Sequence, residues 1–287
     1  MRLTVHYSTT YTYAEPVRRV IQLLRVEPLS FAGQSVLDWR IDVDLDAKLR
    51  AGRDGYGNVT HMLYVDNPVS SLTISIAGRV LTEDRHGIVQ GLPHDLPPEV
   101  FLRPTPLTAP GPSIQALAKA CDGKGGEIER LHRLVGHIHA GLRFDTEATQ
   151  VETGAEQAAA EGHGVCQDFT HVFIAAARLR GIPARYVSGH LFRRDGQKDQ
   201  EAAHAWAEAW VEDLGWVAFD PVNGISTDDA YLRVACGLDY RDAAPIAGAR
   251  SGGGAEKLAV EVRISDTAAG QSRSQSQSGR ERECNRG

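Results

Sequence analysis

Three residues of different chemical types, far apart in the chain, could together perform nucleophilic acyl transfer. Cys166 lies in the segment GVCQDF, His204 begins the segment HAWAEAWV, and Asp220 ends the segment GWVAFD. A thiolate attacks a carbonyl carbon, an imidazole moves protons at the reacting atoms, and a carboxylate holds the imidazole in one orientation. We therefore predict a catalytic triad with Cys166 as nucleophile, His204 as acid and base, and Asp220 as the orienting group.

Cys166 is expected in the first turn of a helix. The pattern predicts a helix over roughly residues 166 to 180, and Gly181 and Pro183 are residue types that end helices. A cysteine there faces unpaired N–H groups and the positive end of the helix dipole, and both favour the thiolate. The same N–H groups could donate to the oxyanion of a tetrahedral intermediate.

His204 and Asp220 are expected on neighbouring strands. Residues 204 to 211 and 216 to 220 have strand patterns, and the short link between them predicts an antiparallel hairpin. A simple four-residue turn would leave the two side chains slightly out of register. Their contact therefore needs a bulge or a diagonal geometry, and the sequence leaves both open.

Three further residues are candidates for the substrate cleft: Gly164, Gln167 and Trp206. Gln167 follows the nucleophile and is a weak candidate for a side-chain donor to the oxyanion, so that donor stays unassigned. Trp206 shares the alternation phase of His204, and it either walls the cleft or fills the interface between domains. Asp168 is expected to cap the helix rather than to act on substrate.

The region before the catalytic residues predicts β-structure. Residues 3 to 13 and 37 to 45 alternate apolar and polar side chains with period 2, and residues 54 to 58, DGYGN, form a turn signal. Prolines at seven positions from 93 to 112 exclude a regular helix or a central strand there. A β-sandwich-like N-terminal domain followed by an extended linker is therefore expected.

The chain is accordingly divided into four segments, and the fold class is α+β. We predict a β-rich N-terminal domain (1–90), a Pro-rich linker (91–112), a catalytic core (113–265) and a disordered tail (266–287). The tail consists of Ser, Gln, Arg and Gly with almost no apolar residues, so it cannot bury a core. Residues 258 to 264 could add one more strand to the fold.

Composition excludes several partners. The formal net charge of −6 provides no broad phosphate-binding field, so a nucleic-acid partner is not expected. No stretch approaches the ~18 apolar residues that span a bilayer, and the N-terminus lacks a signal-peptide pattern, which predicts a cytoplasmic protein without membrane attachment. The sequence does not indicate an oligomeric state.

Other reactive residue types are expected to be structural. The four cysteines are well separated, which disfavours a disulfide framework or a zinc site, and three of them are expected to be inert. Several histidines and arginines are assigned to packing or to solvated surfaces, so no metal or cofactor is predicted. These residues are Cys121, Cys236, Cys284, His132, His137, His139, His163, His171, Arg185 and Arg193.

The motifs GVCQDF, GIPARYVSGHL, HAWAEAWV and GWVAFDPVNG together resemble the core of the transglutaminase-like superfamily. HYSTTYTY, LLRVEP and DGYGN resemble the N-terminal region of bacterial members, so the likeness covers roughly residues 1 to 265. It implies a papain-like core with the nucleophile at a helix N-terminus, packed on an antiparallel sheet, and a thioester acyl-enzyme formed from an amide. Two features depart from the family pattern: Ala203 replaces a common Ser or Thr, and the short Cys–His spacing leaves no room for the insertions of calcium-dependent members.

Three functions follow from this resemblance. The first is a cysteine protease or amidase acting on a peptide or protein substrate, and the second is a transamidase that joins glutamine to an amine. Both use the same triad, and the sequence does not distinguish a cleft that admits water from one that holds an amine. The third is a peptide-binding module without catalysis, which an intact triad argues against.

Overall fold

The computed structural model describes residues 1–93, 96–146, 150–195 and 203–266, and the backbone of 199–200. The predicted tail lies outside the described residues from position 267 onward. The first six strands, in chain order, are β1 (Arg2–Leu24), β2 (Gln34–Val43), β3 (Lys48–Arg53), β4 (Val59–Val65), β5 (Val69–Thr82) and β6 (Ile88–Val89).

Helices and short strands alternate in the second half of the chain. The helices are α1 (Pro112–Ala120), α2 (Glu127–Gly141), α3 (Ala155–Glu161), α4 (Cys166–Leu179) and α5 (Tyr240–Ala243). The remaining strands are β7 (Arg143–Phe144), β8 (His163–Gly164), β9 (Ala184–Leu191), β10 (Asp199–Gln200), β11 (His204–Val211), β12 (Gly215–Asp220), β13 (Ile225–Ser226), β14 (Tyr231–Gly237), β15 (Ile246–Gly252) and β16 (Glu256–Asp266).

Strand β1 is the long strand that pairs with four others in an eight-stranded antiparallel sheet. Its first half lies between β5 and β16, and its second half lies between β4 and β15. The predicted alternation over residues 3 to 13 is confirmed, because every second side chain from Leu3 to Tyr13 is buried. Burial of one face of a strand is what period 2 requires.

The last two strands of the chain return to this N-terminal sheet. β16 pairs with β1 from Leu3↔Asp266 to Tyr13↔Glu256, and β15 pairs with the second half of β1. The strand predicted over residues 258 to 264 is therefore present, but it belongs to the N-terminal sheet. The range 113–265, predicted for the core, includes two strands whose pairing partners lie at the start of the chain.

The core sheet contains β13, β12, β11, β9 and β14 in that order, with β6 added beside β12. Helix α4 packs against β11 and β9, and α1, α2 and α3 pack around α4. This arrangement confirms the α+β class and the predicted helices and strands of the core. Among the described helices, none combines the length and the apolar character needed to cross a membrane.

Two amide side chains join the N-terminal sheet to the free edge of β14. Gln34 accepts from the N–H of Arg233 and donates to its carbonyl, at 2.8 and 2.9 Å. Asn58 likewise accepts from the N–H of Cys236 at 2.8 Å and donates to its carbonyl at 2.7 Å. Each amide reproduces the donor and acceptor of a neighbouring strand, so the backbone groups at this buried edge are satisfied.

The Pro-rich segment forms two single-turn 3₁₀ helices, at Pro98–Leu102 and Pro106–Thr108, rather than being extended throughout. Proline is tolerated in a first helical turn, where its missing N–H needs no partner. The buried Arg178 of α4 donates to the carbonyl of Phe101 and to the hydroxyl of Thr108. The segment is thereby attached to the core.

Candidate active site

Cys166 is the first residue of α4, as predicted from the sequence. Its side chain is partly exposed, whereas Cys121 and Cys236 are buried. Burial raises the pKa of Cys121 to about 11, so that thiol stays protonated near neutral pH. Cys166 is therefore the one cysteine among the described residues that combines a helix N-terminus with access to solvent; Cys284 lies outside them.

The turn that carries Cys166 is held by Asp168. Its carboxylate accepts from the N–H of Val165 at 2.9 Å, the contact of an acidic residue that caps a helix start. Gly164 makes room for this contact, because a Cβ there would lie 2.7 Å from the Asp168 side chain. Asp168 thus has the capping position that the sequence favoured.

His204 and Asp220 meet across the β11–β12 hairpin. Nε2 of His204 lies 2.7 Å from Oδ2 of Asp220. The hairpin register pairs Ala207 with Phe219, so extending it by one residue places Trp206, not His204, opposite Asp220. The contact is therefore diagonal, one of the two geometries that the sequence left open.

Asp220 is completely buried and accepts hydrogen bonds from four further donors. The N–H groups of Val222 and Asn223 donate to Oδ1, at 2.8 and 3.1 Å. The hydroxyl of Tyr231 and the amide of Asn223 donate to Oδ2, at 2.7 and 2.6 Å. Despite burial, the charge of His204 and these donors hold the pKa of Asp220 below its ordinary value.

His204 contacts Asp220 through Nε2, and the side chain of Cys166 lies near the same imidazole. Burial alone would lower the pKa of His204, but the charge and hydrogen bond of Asp220, followed by the contact with Cys166, raise it to about 10. The imidazole is therefore protonated at neutral pH. A protonated imidazole beside a sulfur favours a thiolate–imidazolium pair, the reactive form of a cysteine nucleophile.

The site opens into a cavity of about 1140 Å³ between the core and the N-terminal sheet. Cys166 and His204 line its core side. The opposite wall comes from β1 and β16, the first and last of the described strands, which are paired with each other. The wall residues from these strands are Tyr7, Thr9, Tyr11, Leu258 and Val260.

The three cleft candidates lie in different places. Gln167 lines the cavity, and its side-chain amide donates to the carbonyl of Val151 at 3.1 Å. Trp206 is buried, with its ring 6.2 Å from that of His204 and 5.4 Å from that of Tyr231, and it is not part of the cavity wall. Gly164 is also absent from the wall; it contacts Asp168 instead.

The remaining histidines do not form a metal site within the described part of the chain, which contains no cluster of three or more potential ligands. His139 is exposed and bonds through Nδ1 to the carbonyl of Val222 at 2.8 Å. His171 is completely buried, and burial lowers its pKa to about 3. It is therefore neutral, and its Nε2 accepts from the N–H of Tyr240 at 3.1 Å.

Arg185 differs from its prediction as a solvated surface residue. It is 1% exposed, and its Nε lies 2.6 Å from the buried carboxylate of Glu208. Arg233 approaches the other oxygen of Glu208 at 2.8 Å, and the guanidinium of Arg185 stacks 3.9 Å from the centre of a Trp216 ring. Glu208, Arg233 and Trp216 lie on three other strands. The local sequence around Arg185 does not reveal that these strands become its neighbours.

Two residues that hold Asp220 were missed in the sequence. Asn223 follows Asp220 by three residues in DPVNG, a spacing at which turns often form side-chain to backbone hydrogen bonds, so a local signal existed. Tyr231 lies on β14, at the far edge of the core sheet from β12, and no sequence pattern links it to Asp220.

Known proteins resemble this chain over most of its length. The sequence model of the transglutaminase-like superfamily matches residues 115–221, and that of the bacterial transglutaminase-like N-terminal region matches residues 3–81. An uncharacterized Mycobacterium leprae protein is 30% identical over 276 residues, 92% of this chain and 98% of the relative. An uncharacterized Mycobacterium tuberculosis protein is 28% identical over 272 residues, 86% and 87% of the two chains.

A solved structure from Cytophaga hutchinsonii has the same fold. It is described as a candidate cysteine protease, and it superposes with a TM-score of 0.74 at 22% sequence identity. The superposition covers 93% of this chain and 91% of that one, so both the N-terminal sheet and the core are shared.

Proposed function

Because this chain belongs to the transglutaminase-like superfamily and is related to cysteine-based acyl-transfer enzymes, we propose that it is a cysteine hydrolase that cleaves a peptide-like amide. The observation that carries the proposal is the row of contacts from Cys166 through His204 to Asp220, at the wall of a large cavity. A decayed binding module would not need this row. Such a row serves to exchange a proton between sulfur and imidazole.

The first half of the proposed reaction forms a thioester. The Cys166 thiolate adds to the amide carbonyl carbon, and the C=O electron pair moves onto oxygen. When the tetrahedral intermediate collapses, the C–N bond breaks, and the leaving nitrogen takes the proton from the His204 imidazolium. The amine departs, and the acyl group stays on sulfur.

The second half of the reaction uses water. The neutral His204 takes a proton from water as its oxygen adds to the thioester carbonyl, and the C–S bond then breaks. The acid product leaves, and sulfur and imidazole return to their ion pair. Asp220 keeps the imidazole in one orientation throughout, through Nε2.

The cavity wall supports an apolar peptide segment as substrate. Its charged residues pair with one another, Arg193 with Asp195 at 3.1 Å and Arg194 with Asp228 at 2.7 Å. Exposed apolar side chains lie on the same wall; they are Phe144, Ile225 and Leu258. Exposed apolar groups grouped around a cavity are typical of a binding site. A neutral peptide with large apolar side chains beside the scissile bond fits this surface.

The proposal is tested by incubating the protein with a quenched fluorogenic peptide library, with and without a primary amine. We expect cleavage to a free acid, with apolar residues enriched near the cleaved bond and no amine incorporated. Amine incorporation in place of acid release would make the protein a transamidase instead. The cytoplasmic location and the peptide substrate are predictions at this point.

The control variants separate the nucleophile from other cysteines. Cys166→Ala should abolish turnover while leaving the circular dichroism spectrum unchanged, and Cys236→Ala should retain turnover because its buried thiol does not line the cavity. Iodoacetamide near neutral pH should label Cys166 in the wild-type protein. Absence of both labelling and turnover would contradict the proposal and favour a binding module.

A further inference from the structure

The tetrahedral intermediate of the proposed reaction requires a second oxyanion donor, and the inference below rests on that proposed function. One donor follows from the helix start, because the N–H of a first helical residue such as Cys166 has no acceptor within its helix. Enzymes of this chemical type place at least one more donor beside the developing negative charge. The sequence did not identify it.

Most polar side chains on the cavity wall are already used. The Gln167 amide donates to the Val151 carbonyl, and the Ser188 hydroxyl donates to the Ala243 carbonyl at 2.6 Å. The Thr9 hydroxyl donates to the oxygen of Tyr7 at 2.8 Å. These groups already hold neighbouring parts of the wall together by hydrogen bonds. They are therefore poor candidates for a donor to an oxyanion that develops only during the reaction.

Tyr186 lies on the same wall without such a commitment. Its side chain is 1% exposed, and its hydroxyl makes no hydrogen bond to any residue that the structure describes. Because Tyr186 lines the cavity, its hydroxyl stays available to a group that binds there. A ligand atom in the cavity would satisfy it.

The position of Tyr186 is fixed. It lies on β9, in the middle of the core sheet, and its backbone faces Ala207 of β11 and Gly237 of β14. Its ring packs 5.2 Å from that of His171, which lies on α4 five residues after Cys166. Helix and sheet therefore hold the phenol and the sulfur in one rigid frame, as a preorganised donor requires.

Electrostatics also connect the phenol to the nucleophile. Burial raises the pKa of Tyr186 well above its ordinary value, and the charge of Cys166 is the next cause. The phenol therefore keeps its proton over the whole range in which the enzyme could work. It can donate a hydrogen bond and does not compete with His204 as a base.

We propose that the hydroxyl of Tyr186, together with the N–H of Cys166, donates to the oxyanion of the tetrahedral intermediate. When sulfur adds to the carbonyl carbon, the C=O electron pair moves onto oxygen, and both donors bind that oxygen without giving up their protons. When the C–N bond breaks, the carbonyl re-forms and the two hydrogen bonds weaken. Tyr186 is thus a catalytic residue that contacts the reacting oxygen.

The test compares turnover with alkylation in Tyr186→Phe, which removes only the hydroxyl. We expect kcat for the best-cleaved peptide to fall by roughly 10²–10³-fold, the usual cost of losing one oxyanion donor. Iodoacetamide displaces iodide from a methylene carbon and forms no oxyanion, so its rate of labelling Cys166 should stay within about twofold of the wild-type rate. Turnover within about threefold of wild type would overturn the proposal, and so would equal losses in turnover and labelling.

Two tyrosine variants serve for comparison. Tyr240 lines the same wall, and its ring lies 6.2 Å from that of Tyr186. If Tyr240→Phe lost more activity than Tyr186→Phe, the donor would be Tyr240 and the proposal would be wrong. Tyr64→Phe removes a hydroxyl from β4, outside the cavity wall, and should leave both rates unchanged.

A second measurement keeps the inference testable if no peptide is cleaved. N-acetyl-phenylalaninal adds the Cys166 thiol across its C=O bond, and the resulting oxygen occupies the oxyanion position. Protection of Cys166 from iodoacetamide reports its binding, which should weaken at least tenfold in Tyr186→Phe. Equal protection of both proteins, or protection of neither, would overturn the Tyr186 assignment, whereas absence of peptide cleavage alone would contradict only the proposed hydrolase.

Discussion

Strand β11 takes part in two ion pairs whose carboxylates are completely buried, and the two pairs have different roles. His204, at its open end, contacts Asp220 at 2.7 Å, and Glu208, four residues along the same face, lies between Arg185 and Arg233. The first pair borders a cavity of about 1140 Å³, and the second borders one of about 50 Å³. The larger cavity leaves room for a substrate beside His204, whereas the smaller one leaves no such room beside Glu208.

The cation also differs between the two pairs. A guanidinium keeps its proton in proteins, so the Glu208 cluster can only hold strands together. An imidazole can lose and regain a proton, and its second nitrogen is free of the carboxylate. In the proposed mechanism Asp220 therefore tunes a proton carrier, whereas Glu208 neutralises two fixed charges. Burial with a partner does not by itself identify a catalytic group; a titrating cation facing open space does.

The strongest test of this difference is His204→Gln. Glutamine still offers an N–H to Asp220 but cannot carry a proton, so we expect peptide turnover to fall roughly 10⁴-fold or more. Asp220 keeps its four other donors, so the urea midpoint should change little. A variant with appreciable turnover would show that the imidazole is not the proton carrier.

Glu208→Gln should have the opposite outcome. It leaves two buried guanidinium groups without a carboxylate, so we expect the free energy of unfolding to fall by about 3–5 kcal/mol. The kcat of the folded protein should stay within about threefold of wild type. Urea unfolding measures the loss, and Glu212→Gln, at an exposed turn position, is the matched control.

The same variant has a pH signature. Burial would raise the pKa of Glu208, but the charges of Arg233 and Arg185 lower it below the ordinary value. A lowered folded-state pKa contributes stability above the unfolded pKa of about 4.3, and that stability is lost as the pH falls through the folded-state value. The difference in the free energy of unfolding between wild type and Glu208→Gln should therefore become smaller in acid. A constant difference would mean that the Glu208 charge is not its source.

Tyr231→Phe should have a smaller effect on the catalytic pair. It removes one of the donors to Oδ2 of Asp220 and leaves the ring packing with Trp206 in place. If the weaker hold on Asp220 raises the activation free energy by about 1.4 kcal/mol, kcat falls about tenfold. Steady-state kinetics measure this, with iodoacetamide labelling to verify that Cys166 is accessible. An unchanged kcat would mean that the remaining donors fix Asp220 without help from Tyr231.

The last effect is confined to the alkaline limb of the pH profile. The pKa of His204 is about 10, so turnover that needs the imidazolium should be constant below this value and fall about tenfold per pH unit above it. Far-UV circular dichroism at each pH separates deprotonation from unfolding. A fall in turnover centred near the ordinary histidine value would contradict the strong influence of Asp220.

The positions of the individual elements could be predicted from sequence because their signals are local. Helix α4 begins at Cys166 and ends before Gly181, whose φ of +76° suits glycine after a helix, and β9 and β11 have their predicted bounds. The alternation from residue 3 to 13 likewise reports one buried face of β1. Such periodicities depend on neighbours within a few residues, so a single chain contains them in full.

The partners of buried polar groups could not be predicted in the same way. Arg185 was expected at the surface, yet its carboxylate partner Glu208 and its aromatic partner Trp216 lie about 23 and 31 residues further along the chain. Trp206 shares a strand face with His204, yet the cavity lies on only one part of that face. Burial of these side chains depends on which strands become neighbours, and that is a property of the whole sheet.

The sequence by itself determined the local structure and the chemical types: a cysteine opening a helix, a histidine and an aspartate on the two strands of a hairpin, and a β-rich start. Only the tertiary structure decided the diagonal contact of His204 with Asp220, the place of Tyr186 on the same cavity wall as Cys166, and the return of β15 and β16 to the first strand. The physical reason is distance along the chain. Helix starts and alternating strands arise from adjacent residues, whereas a cavity wall arises from residues that touch only after the sheets have assembled.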